Sequence, residues 1–119
     1  MESLIKSDAW TETDTKVLHL LANLLTQQNR EEKARELLEF ALSRSPNNLE
    51  VMKALSAVCL LTRENDRALE LADAVLGQIH EQSDQASLLL VRSRALWGLG
   101  REAESRVAMD EYISNRMVR

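Results

Sequence analysis

The sequence predicts an all-α array of three helical hairpins, and three observations carry that expectation. Ala34, Leu38, Ala41 and Pro46 follow the spacing A-x3-L-x2-A-x4-P, and its small and apolar part returns 34 residues later at Ala68, Ala72 and Val75. Small residues fall in pairs where two helices would cross, Ala22 with Ala34 and Ser56 with Ala68. One proline and three glycines in 119 residues rich in Leu, Ala, Glu and Arg leave helix the default nearly everywhere. A single hairpin cannot bury its apolar face alone, so successive hairpins must stack.

The elements follow in order. Residues 1–14 show little periodicity beyond Leu4, Ile5 and Trp10 and read as an N-terminal arm, with Thr11 to Asp14 as a capping region. Residues 15–119 form the three-hairpin domain. Val17, Leu18, Leu20, Leu21, Leu24 and Leu25 have helical spacing from Thr15 onward. Asn29 is suited to the left-handed turn that follows. A second helix begins at about Arg30, with Glu31 and Glu32 in its first turn complementing the helix dipole. It presents Ala34, Leu37, Leu38, Ala41 and Leu42 until Ser45-Pro46 stops it.

Asn47 or Asn48 caps the third helix, with Glu50 three residues after Asn47 as in a capping box. Leu49, Met52, Leu55, Cys59 and Leu60 form its apolar side. Arg63-Glu64-Asn65 turns the chain into a fourth helix carrying Ala68, Leu69, Leu71, Ala72, Val75, Leu76 and Ile79. After the polar segment His80–Asp84, a fifth helix carries Leu88, Leu89, Leu90, Val91, Ala95, Leu96 and Leu99, Gly100 ends it, and Val107, Ala108, Met109, Tyr112 and Ile113 mark a sixth. With Gly100 as the turn residue, Ser105 takes the small position. Its offset from Ala68 is then 37 rather than 34, which implies about three extra residues in the 80–87 linker.

Composition narrows the function classes. With 45% hydrophobic and 29% charged residues the chain is globular, and no apolar run approaches the ~20 residues of a membrane span. A net charge of −4 argues against a nucleic-acid role, which needs a basic face. The opening Met-Glu-Ser-Leu-Ile-Lys has no signal-peptide pattern, and the lone Cys59 suits a reducing compartment, so a cytoplasmic location is expected. No catalytic constellation is present and no enzyme activity is expected. His19 and His80 have no partner at metal-ligand spacing, Gly98-x-Gly100 is too short to cradle a phosphate, and no cofactor is implied. Cys59, on an apolar helix face, reads as a core residue rather than a nucleophile.

The 34-residue period with small residues at these offsets resembles the tetratricopeptide repeat, a stacked helix-turn-helix unit that usually binds another polypeptide. The resemblance implies that the first helices of the hairpins line a concave groove. Mapped onto this chain, the groove residues are Lys16, His19, Asn23 and Thr26, then Glu50, Lys53, Ala57 and Leu60, then Ser87, Leu90, Arg94 and Trp97. The groove is thus polar at one end and apolar at the other, which suits a peptide with apolar anchors. Of these, His19, Asn23, Lys53, Ala57, Leu60, Leu90, Arg94 and Trp97 are the candidate partner-binding set. Modules of this family that clamp chaperone C-termini use Lys, Asn and Arg. Asn23 matches one member, but His19 and Ala54 stand where Lys and Asn are needed, so that mode fails. Trp97 has two readings at this stage, a binding anchor in the groove or packing against a terminal helix. Trp10 is expected to pack onto the first hairpin.

A narrower resemblance rests on Ala34-Arg35-Glu36-Leu37-Leu38 running to Pro46-Asn47-Asn48-Leu49, on Asp66-Arg67-Ala68, and on Ser93-Arg94-Ala95-Leu96-Trp97-Gly98-Leu99-Gly100 followed by Arg106-Val107-Ala108-Met109 and Tyr112-Ile113. Over residues 15–114 the chain resembles the small chaperones of bacterial type III secretion, of the YscY type, and departs from them in the linker expansion and the arm. That resemblance implies a cytoplasmic chaperone for a small secreted component of the same system, YscX-like, whose complex docks on the export gate. The related needle-subunit chaperone, which hides a polymerising helix in its groove, and a generic repeat scaffold are the alternatives.

Overall fold

The computed structural model describes residues 10–117 and consists of six helices: α1 Glu12–Gln27, α2 Glu31–Arg44, α3 Leu49–Leu61, α4 Asn65–Leu76, α5 Gln82–Gly98 and α6 Glu102–Met117. No strand occurs among the described residues. Leu4 and Ile5, the apolar residues assigned to the arm, lie outside them.

The same turn closes every hairpin. Asn29, Arg63 and Gly100 each take a left-handed backbone, with φ of 61°, 63° and 79°. The amide of the next residue reaches back to the carbonyl five residues earlier in the helix: Arg30 to Leu25 at 2.8 Å, Glu64 to Cys59 at 2.8 Å, and Arg101 to Leu96 at 2.9 Å. The turn residues themselves donate to Thr26, Leu60 and Trp97 at 3.0–3.1 Å. These paired bonds are the Schellman arrangement, which satisfies the last carbonyls of the helix. Its three occurrences are spaced by 34 and then 37 residues, so Gly100 is the turn residue of the third hairpin. Only Gly100 adopts the left-handed backbone without steric penalty, and Arg63 holds it against that penalty.

Three boundaries differ from the sequence reading. The first helix starts at Glu12, not Thr15, because Thr11 and Asp14 form a reciprocal capping box. The Asp14 amide donates to Thr11 Oγ1, and the Thr11 amide donates to Asp14 Oδ2 at 2.9 Å. The third helix is capped by Asn48, whose side chain accepts from the Val51 amide at 3.0 Å, so the Asn47–Glu50 box does not form. The three extra residues before the third repeat go mainly into helix, the connection having five residues (77–81) against four (45–48) before α3. The helical ones are wound into the start of α5, which spans 17 residues against 13 for α3.

The core runs along the whole row, through Ala22, Ala34, Leu38, Leu55, Cys59, Ala68, Ala72, Leu88 and Ala95. The first helices touch one another, α1 with α3 and α3 with α5, more extensively than the second helices do, so the row bends with α1, α3 and α5 inside. Ion pairs cross between hairpins on the other side: Arg35 to Glu64 at 3.1 Å and Arg67 to Glu39 at 3.0 Å. The hydrogen bonds that the Arg67 guanidinium donates to Glu39 and Glu70 hold it firmly protonated, above the usual arginine range.

Trp10 packs onto the first hairpin. Its ring meets Phe40 edge-on at 5.6 Å, and the Arg44 guanidinium lies 5.6 Å from its centroid. Its indole N–H donates to the Thr15 hydroxyl at 2.9 Å, and that hydroxyl lies 2.8 Å from Ser45 Oγ at the far end of α2. The indole therefore ties the start of α1 to the end of α2.

Candidate functional site

Side chains on the inner helices divide into two surroundings. At the N-terminal end, Lys16 and His19 of α1 share a cavity of about 480 Å³ with Asn48, Leu49 and Glu50 at the start of α3. The lining is mixed in charge, with Glu12 one turn before Lys16 on α1 and Glu50 on α3. At the C-terminal end, Arg94 and Trp97 of α5 line a cavity of about 340 Å³ with Glu102, Arg106 and Met109 of α6. Its floor is Ser93 and Ser105, the small pair at which α5 and α6 cross.

Of the eight residues chosen from the repeat register, the structure brings Arg94 and Trp97 together in one cavity and places His19 in the other. Asn23 and Ala57 are exposed, while Lys53, Leu60 and Leu90 are half-buried. Trp97 is 62% exposed, so most of the indole faces out even though its edge lines the cavity shared with α6.

Sequence reasoning missed the α6 side of this cavity because the groove positions were taken from the first helices alone. The signal lay in the register. Met109 stands 37 residues after Ala72 and 71 after Leu38, both fully buried, so an apolar residue there belongs to a packing surface. A larger, more open hollow of about 930 Å³ lies between α4, α5 and α6 on the outer side, lined by Asp73, Arg92, Asp110 and Glu111 among others. The Arg92 side chain is already committed there to Asp73 at 2.8 Å.

No group of three or more His, Cys, Asp or Glu stands together among the described residues. Cys59 is fully buried, and burial first, then Glu64 and Glu39, push its thiol up to about 12. At neutral pH it is a thiol and a packing group, not a nucleophile. No helix among the described residues is long and apolar enough to cross a membrane.

The comparisons with known proteins agree with this geometry. The family model of the tetratricopeptide repeat matches residues 25–91, more than half of the chain, from the end of α1 to the middle of α5. No curated protein is significantly similar to the chain.

Proposed function

Because the chain belongs to the tetratricopeptide repeat family, whose members serve protein–protein interaction, we propose that it is a cytoplasmic chaperone of a bacterial type III secretion system. It binds a small secreted export component, YscX-like, along the inner face of α1, α3 and α5 and keeps it soluble until the complex reaches the export gate. The candidate contact set is His19, Asn23, Lys53, Ala57, Leu60, Leu90, Arg94 and Trp97. The observation that carries the binding mode is the exposed Trp97 beside Arg94 over an apolar cavity. Such a site takes the apolar side of an amphipathic segment, with the guanidinium pairing an acidic flank. The secretion-system assignment is supported by the YscY-type resemblance over residues 15–114.

Physically, an aggregation-prone segment ordered on the groove hides its apolar side chains at the expense of its own conformational freedom. The test is co-expression with the YscX-like protein and, separately, with the needle subunit of the same system. Stoichiometric co-purification with the first, with a rise in melting temperature, is the expected result. Stoichiometric binding to the needle subunit alone would reassign the client within the same system. A stable protein that binds neither and captures a C-terminal peptide would make it a scaffold.

A further inference from the structure

The two ends of the hairpin row are complementary. On α3, the face turned to the preceding hairpin carries Val51, Leu55 and Val58, all buried, and Leu88, Arg92 and Ala95 hold the corresponding places on α5, with Arg92 paired to Asp73 of the preceding hairpin at 2.8 Å. The same register on α1, 34 residues ahead of α3, falls on Val17, Leu21 and Leu24, with Leu20 beside them. These four are 47%, 44%, 53% and 64% exposed, because no hairpin among the described residues precedes α1. At the other end, Trp97, Met109 and Ile113 occupy the register of Leu60, Ala72 and Leu76, which pack into the core that α5 closes. With no helix following α6 among the described residues, Trp97 and Ile113 stay 62% and 50% exposed.

We propose that a second copy of this chain seats its α1 in the α5–α6 groove of the first, continuing the row head to tail. Each copy carries the apolar stripe that the groove lacks and the groove that the stripe lacks, both in the register that already joins its own hairpins. The charges can be read off the existing interfaces. Glu39 pairs with Arg67 between the first and second hairpins, and its counterpart across the new contact is Asp110 against Lys33, opposite charges. Arg35 pairs with Glu64, and its counterpart is Arg106 against Arg30, like charges. One attraction and one repulsion roughly cancel, so the contact depends on apolar burial and forms at high protein concentration. The contact is heterologous and leaves a free groove and a free stripe, so copies add in series. The inference does not depend on the chaperone reading. Because the groove shares Trp97 with the proposed client site, a bound client and a second copy exclude each other there.

Sedimentation velocity of the full chain over a wide concentration range tests it. The expected result is a reversible, concentration-dependent series of species. Leu20→Lys, on the stripe, and Met109→Lys, in the groove beside Arg94 and Arg106, should each weaken the association by at least about tenfold, since each buries a charge among like charges. Mixed in equal amounts, the two variants should form a dimer that does not grow, because one intact groove meets one intact stripe. That rescue also shows both variants to be folded. Arg30→Glu supplies Arg106 with an opposite charge and should strengthen association severalfold. A parent protein that stays monomeric at every concentration overturns the proposal. So does self-association that survives both variants, or a mixture that fails to dimerise while both variants melt like the parent.

Discussion

The Ser105 hydroxyl donates to the Ser93 carbonyl at 2.7 Å, and the Ser93 hydroxyl reaches the Ser105 carbonyl at 3.1 Å, both fully inside the crossing of α5 and α6. These two serines stand where the first hairpin has Ala22 and Ala34 and the second has Ser56 and Ala68. A side chain of one or two heavy atoms is the most that fits where the two backbones approach.

Enlarging that position should therefore be costly in every hairpin. Ala34→Leu, Ala68→Leu and Ser105→Leu should each lower stability by about 1–3 kcal/mol, because the added methylenes force the helices apart. Urea or thermal unfolding of the three variants checks this. Parent-like melting of all three would mean that the crossing lies elsewhere.

Much of this fold is legible in the sequence. Left-handed turns at Asn29 and Gly100, the stop at Ser45-Pro46 and the small-residue pairs all follow from local chemistry that only a few residues satisfy. The insertion before the third repeat was legible only as a count. Whether three residues extend a loop or a helix depends on what they pack against, and here they mainly lengthen α5. The Asn47–Glu50 box was misplaced by one residue because Asn47 and Asn48 offer the same cap chemistry. The cavity at Trp97 was half legible. Its α5 side follows from the repeat register, but its α6 side requires both helices of the last hairpin to be placed together.

Burial of Cys59 gives a dependence on alkaline pH. Its thiol titrates at about 12 in the fold against an ordinary 9.0. Below 9 both states hold the proton and nothing is lost. Between about 9 and 12 the unfolded chain releases the proton and the folded chain keeps it, so stability falls as pH rises. Native protein at pH 8 should react slowly with a thiol reagent and quickly once denatured. Cys59→Ala should show a shallower loss of stability across that alkaline window, measured by unfolding at stepwise pH.

The Glu39–Arg67 pair links the second helices of the first two hairpins, each side chain being 33% exposed. Arg67→Met keeps the aliphatic stem and removes the charge, and should cost less than about 1 kcal/mol, since solvent screens a pair this open. Raising the salt concentration should shrink the difference between variant and parent. A loss of several kcal/mol, unchanged by salt, would show that Arg67 acts through packing instead.

The groove itself is tested by contrasting its two ends. At the C-terminal end, Trp97 is 62% exposed over an apolar cavity with Arg94 at its side. At the N-terminal end, Lys16 is exposed in a cavity shared with His19 and the carboxylate of Glu50. Removing an exposed indole takes little from the isolated fold but removes the largest apolar surface available to a client. Trp97→Ala should weaken client binding by on the order of 2 kcal/mol or more, with a small change in melting temperature. Lys16→Ala should change affinity little, as a rim charge does, and its effect should be mainly on association rate and salt dependence. Titration of the purified client against each variant, with melting curves alongside, gives both readings. Unaltered affinity for Trp97→Ala together with a large drop in melting temperature would return Trp97 to the packing of α6 and move the client site to another part of the row.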